Sequence, residues 1–249
     1  MTSGVAIITG VSGGLGRAIA AEFRQHGFRV CGISRGKPEI ELDAWISCDI
    51  TDPAQRESLL HQFSAQFERL DVLINCAGVG AYATWEELSD EELHQLFEVD
   101  FFAAVAMTKL FLGVLKNFSG SIINISSAAG KLPVPCMGSY CAAKSALSMF
   151  SHTLGIELVG AGVRVLDVAP GQINTGFSLR AFGNRPVVDS PGSGGTSPEK
   201  LAQKIFSAWR RKKRKLAYPN YTDFAIFLLR TLLFPLYRKV SIKLWKLDK

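Results

Sequence analysis

Val5-Ala6-Ile7-Ile8-Thr9, followed at once by Gly10-Val11-Ser12-Gly13-Gly14-Leu15-Gly16 and an apolar-periodic run from Gly14 to His26, is the stretch that decides the fold. A buried strand, a glycine-rich turn and an amphipathic helix in that order form the opening unit of a dinucleotide-binding sheet. Glycines are needed there because backbone N–H groups must approach a pyrophosphate closely and side chains would hold them off. The positive end of the following helix then favours the phosphate charge.

Outward from this unit, short apolar or β-branched runs recur at Arg29 to Ile33, Ala44 to Cys48, Val72 to Asn75, Ser121 to Ile125 and Val163 to Val168, with a weaker one at Lys215 to Tyr218. Segments of helical period lie between or after them at Pro53 to Phe67, Asp90 to Phe97, Phe101 to Lys116, Ser139 to Val159 and Pro198 to Arg210. Ser197-Pro198 gives the last of these an N-cap and a proline at its first turn. This alternation predicts an α/β fold, a doubly wound Rossmann-type parallel sheet with helices on both faces. A single catalytic domain is expected over residues 1–220, followed by an extension over 221–249. Residues 172–197 read as a loop after the sixth strand, where ligands of open α/β sheets bind, so a lid or substrate loop is expected, with a plain surface loop as the alternative.

The second strand runs into Ile33-Ser34-Arg35, where such folds meet the adenosine ribose. An acidic residue there binds the 2′-hydroxyl of NAD and repels a 2′-phosphate. A hydroxyl and a guanidinium at Ser34 and Arg35 instead favour NADP(H), unless Arg35 is merely solvated.

Tyr140-Cys141-Ala142-Ala143-Lys144 places a phenol and an ammonium four positions apart, on one face of a helix. A nearby cation favours the tyrosinate, which suits the phenol to act as general acid toward a carbonyl or general base toward an alcohol. Asn124-Ile125-Ser126-Ser127 ends the preceding strand and can aim a hydroxyl at the helix start.

The glycine turn, Asn75-Cys76-Ala77-Gly78, Ser127 thirteen positions before Tyr140, Lys144, and Pro170-Gly171-Gln172-Ile173-Asn174-Thr175 arrive in an order that resembles the classical short-chain dehydrogenase/reductase (SDR) family, over about residues 4 to 220. The resemblance implies that Ser127 polarises the substrate oxygen, Tyr140 transfers the proton, and Lys144 assists the tyrosine and holds the nicotinamide ribose. It further implies that Gly10, Ser12, Gly14, Leu15 and Gly16 surround the pyrophosphate and that Asp49 meets adenine. Asn75, Ala77 and Gly78 would line the cofactor channel, and Pro170, Gly171, Ile173 and Thr175 the nicotinamide side. One position departs from the family pattern. Where a catalytic asparagine is usual, Glu98-Val99-Asp100-Phe101 has Asp100, a near-isostere without the amide's donors, kept here as a further catalytic candidate.

The composition, 47% hydrophobic in 249 residues, suits a sizeable buried core. Cys31, Cys48, Cys76, Cys136 and Cys141 fit neither a metal pattern nor a disulfide framework, and the four histidines show no ligand spacing, so no metal site is expected. Met1 leads straight toward the glycine turn without a signal-peptide pattern, and a cytoplasmic location is expected.

The net charge of +6 is uneven: residues 210–249 hold 12 Lys/Arg against 2 Asp/Glu, leaving 16 basic and 20 acidic groups, or −4, in residues 1–209. The basic run Arg210 to Lys215 precedes an apolar stretch, Phe224 to Tyr237, interrupted by Arg230 and Pro235 and too short to span a bilayer. Three roles stay open for it: peripheral contact with an anionic membrane, cover for the substrate cleft, or burial in an oligomer interface. Nucleic-acid binding is not expected from one charge run without a recognition fold.

The function expected is hydride transfer between NADP(H) and a carbonyl or alcohol, with a hydrophobic small-molecule substrate, in a homodimer or homotetramer. The alternative is a non-catalytic NADP(H)-binding sensor or scaffold docked through its tail.

Overall fold

In the computed structural model, which describes residues 4–185, 195–219 and 222–244, the apolar runs pair into one all-parallel sheet of seven strands. The strands are β1 (Val5–Thr9), β2 (Arg29–Ser34), β3 (Ala44–Ser47), β4 (Val72–Asn75), β5 (Ser121–Ile125), β6 (Arg164–Pro170) and β7 (Lys215–Tyr218), in the order β3-β2-β1-β4-β5-β6-β7. β1 is buried along its whole length, with Ala6 opposite Val30 on one side and Val72 on the other. Its side chains alternate between two cores, as strand geometry requires. Val5 and Ile7 pack with Phe63 and Phe111, whereas Ala6 and Ile8 pack with Ile19, Phe23 and Ile205.

The first core lies under α2 (Pro53–Ser64), α4 (Ala103–Asn117) and the end of α5 (Gly138–Glu157); the second lies under α1 (Gly14–Gln25) and α6 (Pro198–Arg210). Starts are set by local chemistry. Asp52 caps α2 ahead of Pro53, Ser197 caps α6 ahead of Pro198, and Ser89 with Glu92 forms a capping box on α3 (Asp90–Phe97).

Two expected helices merge. α3 runs through a single π turn, Glu98–Phe102, straight into α4, so the segment is one rod with a local bulge rather than two helices split at residue 100. Such bulges shift side-chain direction locally and recur at functional sites. Here the shifted residue is Asp100.

The segment after β7 is helical: α7 (Thr222–Phe227), a second π turn over Leu228–Leu232, and α8 (Phe234–Leu244). It is tied to the stretch following β5. Lys131 Nζ meets Asp223 at 2.8 Å, Arg230 donates to the Lys131 carbonyl, and the Tyr237 hydroxyl donates to the Pro133 carbonyl. Burial would raise the Asp223 carboxyl, but Lys131 and Lys215 outweigh it and hold it below the usual carboxylate range. No helix among the described residues is long and apolar enough to cross a membrane.

Candidate active site

Strand order reverses direction at β1, so the helices after β1 and β4 leave the sheet on opposite faces and open a crevice at its carboxyl end. That crevice is a cleft of 1190 Å³, whose floor holds Gly10, Ser12, Gly14, Leu15 and Gly16 from the first turn. Gly10 sits at φ +74°, and a Cβ there would lie 2.8 Å from Ala77 Cα. A Cβ on Gly16 would collide with the Gly10 carbonyl, which pins the start of α1 against the turn. The cradle is therefore bare backbone at a helix N-terminus, which fits a pyrophosphate.

Gly16→Ala is expected to cost about 1–3 kcal/mol by overpacking and to weaken dinucleotide binding. Gly113→Ala, in open space on α4, should instead stabilise by up to about 1 kcal/mol. Urea melts and dinucleotide titration of both variants check this, and an unperturbed Gly16→Ala protein would contradict the packing argument.

Beside the cradle, buried Thr9 accepts the N–H groups of Cys76 and Ala77 at 3.0 and 3.1 Å, holding the end of β4 against β1. Cys76, Ala77 and Gly78 then line the cleft. Asn75 does not. Expected in the cofactor channel, it is buried and turned into the sheet layer, where Nδ2 donates to Asn124 Oδ1 at 2.8 Å, and Asn124 in turn donates to Ser151 at 2.8 Å. It staples β4 to β5 and α5 rather than facing a ligand.

The reacting groups come from the ends of β5 and α5. Ser127 caps a short 3-10 turn, Ala128–Gly130, and its Oγ accepts the Ala129 N–H at 3.1 Å, which leaves the hydroxyl hydrogen to donate. Tyr140 and Lys144 lie one turn apart on α5, with Lys144 Nζ 5.7 Å from the Tyr140 ring centre. Tyr140 packs beside Phe177 at 6.0 Å. Ser127, Tyr140 and Lys144 all line the cleft.

Lys144 is 4% exposed, donates to the Ile125 carbonyl at 3.3 Å, and stands 3.3 Å from Asp100 Oδ2. Asp100, 1% exposed, also accepts the Val79 N–H at 2.7 Å through Oδ1. Burial pushes its carboxyl above the usual range, while Lys144 and the Val79 amide pull it back only in part. Asp100 is not among the residues that line the cleft; its carboxylate meets Lys144 behind the wall, in the π turn Glu98–Phe102. Gly78 permits this pair, since a Cβ there would sit 3.1 Å from Asp100 Oδ1 and 3.2 Å from Lys144 Nζ.

At the adenosine end, Ser34, Arg35 and Asp49 line the cleft. The Ser34 hydroxyl is committed to the turn, donating to the Gly36 carbonyl and accepting from Trp45 Nε1. Arg35 is 80% exposed in its side chain and only loosely paired with Asp49 at 3.9 Å, so its guanidinium is the available cation. Pro170, Gly171, Ile173 and Thr175 line the opposite side.

The substrate end has an apolar wall that motif reading missed: Val79, Tyr82, Val134, Met137, Phe177 and Ile226. Ile226 comes from α7, so the tail does reach the cleft. The described half of the expected substrate loop is tied down: Phe182 bridges to Ala81, and Arg185 pairs with Glu87 at 2.7 Å. The remainder of that loop, residues 186–194, lies outside the described residues. Arg180 was also missed. It lines the cleft with no ion-pair or hydrogen-bond partner among the described residues, and a Cβ on Gly13 would stand 3.6 Å from its Nη2. A guanidinium facing an amide-lined cradle suits a phosphate.

All five cysteines are free. Burial pushes the Cys76 thiol up to about 12 despite Lys144, and raises Cys141 as well, so neither is a reactive thiolate. Among the described residues no group of three His, Cys, Asp or Glu side chains could hold a metal.

A parallel sheet with a glycine cradle at its switch point, and a serine, tyrosine and lysine at its carboxyl edge, defines a dinucleotide-dependent oxidoreductase site. Residues 4–184 match the family model described as short chain dehydrogenase, and the chain belongs to that family. The "Probable short-chain type dehydrogenase/reductase VdlC" of Helicobacter pylori is 33% identical over 192 residues, covering 75% of this chain and 71% of the relative. The "3-ketodihydrosphingosine reductase" of Bacteroides thetaiotaomicron is 34% identical over 176 residues, covering 70% of this chain and 65% of the relative. A crystal structure of a short-chain dehydrogenase from Streptomyces avermitilis superposes with a TM-score of 0.79 at 28% identity, covering 97% of this chain and 98% of that one.

Proposed function

We propose that the protein is an NADP(H)-dependent reductase of a hydrophobic ketone or aldehyde, running reversibly as an alcohol dehydrogenase. The observation that carries the reading is the convergence of Ser127, Tyr140 and Lys144 on one cleft whose substrate end is apolar. A bound nicotinamide dinucleotide would supply the hydride. The Ser127 hydroxyl would donate to the carbonyl oxygen and hold it beside Tyr140. The Tyr140 phenol would deliver the proton to that oxygen as negative charge develops there. The Lys144 ammonium favours the phenolate left behind and has further donors for a ribose hydroxyl. The apolar wall excludes water and would accept an acyl chain or ring system.

The preference for NADP(H) rests on Arg35, with Asp49 too loosely held to neutralise it. Arg35→Ala is expected to weaken NADPH binding by on the order of ten- to a hundred-fold and leave NADH nearly unchanged, because only the 2′-phosphate loses a charge-assisted partner. Fluorescence titration with both nucleotides decides it, and equal losses for the two would remove the basis for the preference. Exposed Phe102, Met149 and Ile156 on the α4 and α5 side offer a surface for the homo-oligomer expected of this protein. A non-catalytic sensor is disfavoured, since it has no use for a lysine buried at the cost of a paired carboxylate behind an ordered serine and tyrosine.

The test of the whole reading is NADPH oxidation with acetophenone and a long-chain methyl ketone. Turnover that requires Tyr140 supports it, and nucleotide binding without turnover on either probe would overturn it.

A further inference from the structure

The outward face of the tail is unused by the reductase reading. Phe224, Phe227, Leu232, Leu236 and Val240 are each between 49% and 65% exposed, although their neighbours Ile226 and Ser241 are buried against the body. On α8, at roughly 3.6 residues per turn, Leu236, Lys239, Val240 and Lys243 share the outward side, while Tyr237 and Ser241 turn inward. The segment is thus fixed by one face and displays an apolar stripe bordered by lysines on the other.

Its charge is one-sided. Residues 222–244 carry Arg230, Arg238, Lys239 and Lys243 against Asp223, and Asp223 is already held by Lys131 and Lys215. The run Arg210 to Arg214 stands elsewhere: Lys215 pairs in register with Asp167, midway along β6, so the residues before it lie toward the end of the sheet remote from the cleft.

We propose that this outward face seats on an anionic lipid bilayer, with Phe224, Phe227, Leu236 and Val240 entering the headgroup boundary and Lys239 and Lys243 meeting acidic headgroups. Apolar side chains flanked by cations on short helices are the pattern of an element that lies in the interface plane. A second copy fits less well, because a two-fold contact would bring the same cations against each other. Since Ile226 of the same segment lines the cleft, the docked surface stands beside the substrate mouth.

The test is co-sedimentation of the full chain with phosphatidylcholine vesicles, with and without phosphatidylserine. Binding is expected only with phosphatidylserine and should fall steeply with salt. Lys239→Glu with Lys243→Glu should reduce partitioning by at least about twenty-fold, and Leu236→Ser with Val240→Ser should also release the protein. Thermal unfolding and turnover of acetophenone should stay unchanged, which shows that the variants fold. Equal binding to neutral vesicles, no binding, or a dimer that Leu236→Ser with Val240→Ser dissociates would each overturn the proposal. Because sedimentation needs no turnover, failure of the reductase reading leaves this result separately readable.

Discussion

Tyr140→Phe is expected to lower turnover by about a thousand-fold while leaving dinucleotide affinity essentially intact. The substitution removes one hydroxyl and keeps the ring that packs beside Phe177, so the cleft should hold its shape. Ser127 can still polarise a carbonyl and Lys144 keeps its place between Asp100 and the Ile125 carbonyl, so residual activity above background should remain. What is lost is the proton donor at the moment the oxygen becomes basic, and water cannot readily replace it beside an apolar wall. Steady-state rates with acetophenone and NADPH, together with nucleotide titration, separate the two effects. A variant that retained most of its turnover would mean the proton comes from another group.

Substitutions at Asp100 should divide according to whether they keep an acceptor for Val79. Asp100→Ala leaves the Lys144 ammonium buried without its counter-charge and the Val79 N–H without its acceptor. Breaking a buried pair from one side costs about 3–5 kcal/mol, and this variant should be poorly folded or strongly destabilised in urea. Asp100→Asn keeps an oxygen for Val79 and should fold with a much smaller loss.

Its signature is a pH profile. The groups around Lys144 are Asp100, Tyr140 and the Cys76 thiol, and the thiol stays neutral. With Asp100 charged, part of the lysine's field is cancelled; with an amide there, the full positive charge acts on the phenol. A stronger positive field favours phenolate, so the basic form appears at lower pH and the rise in alcohol oxidation should move toward acid. A profile that does not move, measured as kcat/KM against pH, would make Asp100 a packing residue only.

Much of this was legible from the chain because parallel strands buried on both faces carry continuous apolar runs, and all seven expected strands form within two residues of their expected ends. The glycine cradle and the serine, tyrosine and lysine were legible for a related reason: each belongs to a short local pattern that sits where a strand ends. The partners of Asn75 and Asp100 were not legible, because a side chain's facing depends on neighbours distant in the chain, here Asn124 on β5 and Lys144 on α5. No local signal separates a polar residue aimed at a ligand from one aimed at a partner strand.

The substrate wall was illegible for a different reason. Tyr82, Met137, Phe177 and Ile226 come from four separated stretches and look like ordinary core residues until the fold gathers them. Arg180 carried no signal beyond its charge. The tail was readable as amphipathic, but which face turns inward is decided by Lys131 and Pro133, about a hundred residues earlier in the chain.

The strand order also bears on how the molecule is made. After β1 to β3, every new strand is added at the same growing edge, β4 beside β1, then β5, β6 and β7 in turn. A nascent chain leaving the ribosome therefore always finds its docking edge already built, and no strand must wait for a later one or insert between two earlier ones. The two edges left at completion, β3 and β7, are four residues each, short enough to offer little template for a stray chain. Synthesis and assembly can thus proceed strand by strand and finish with two short borders.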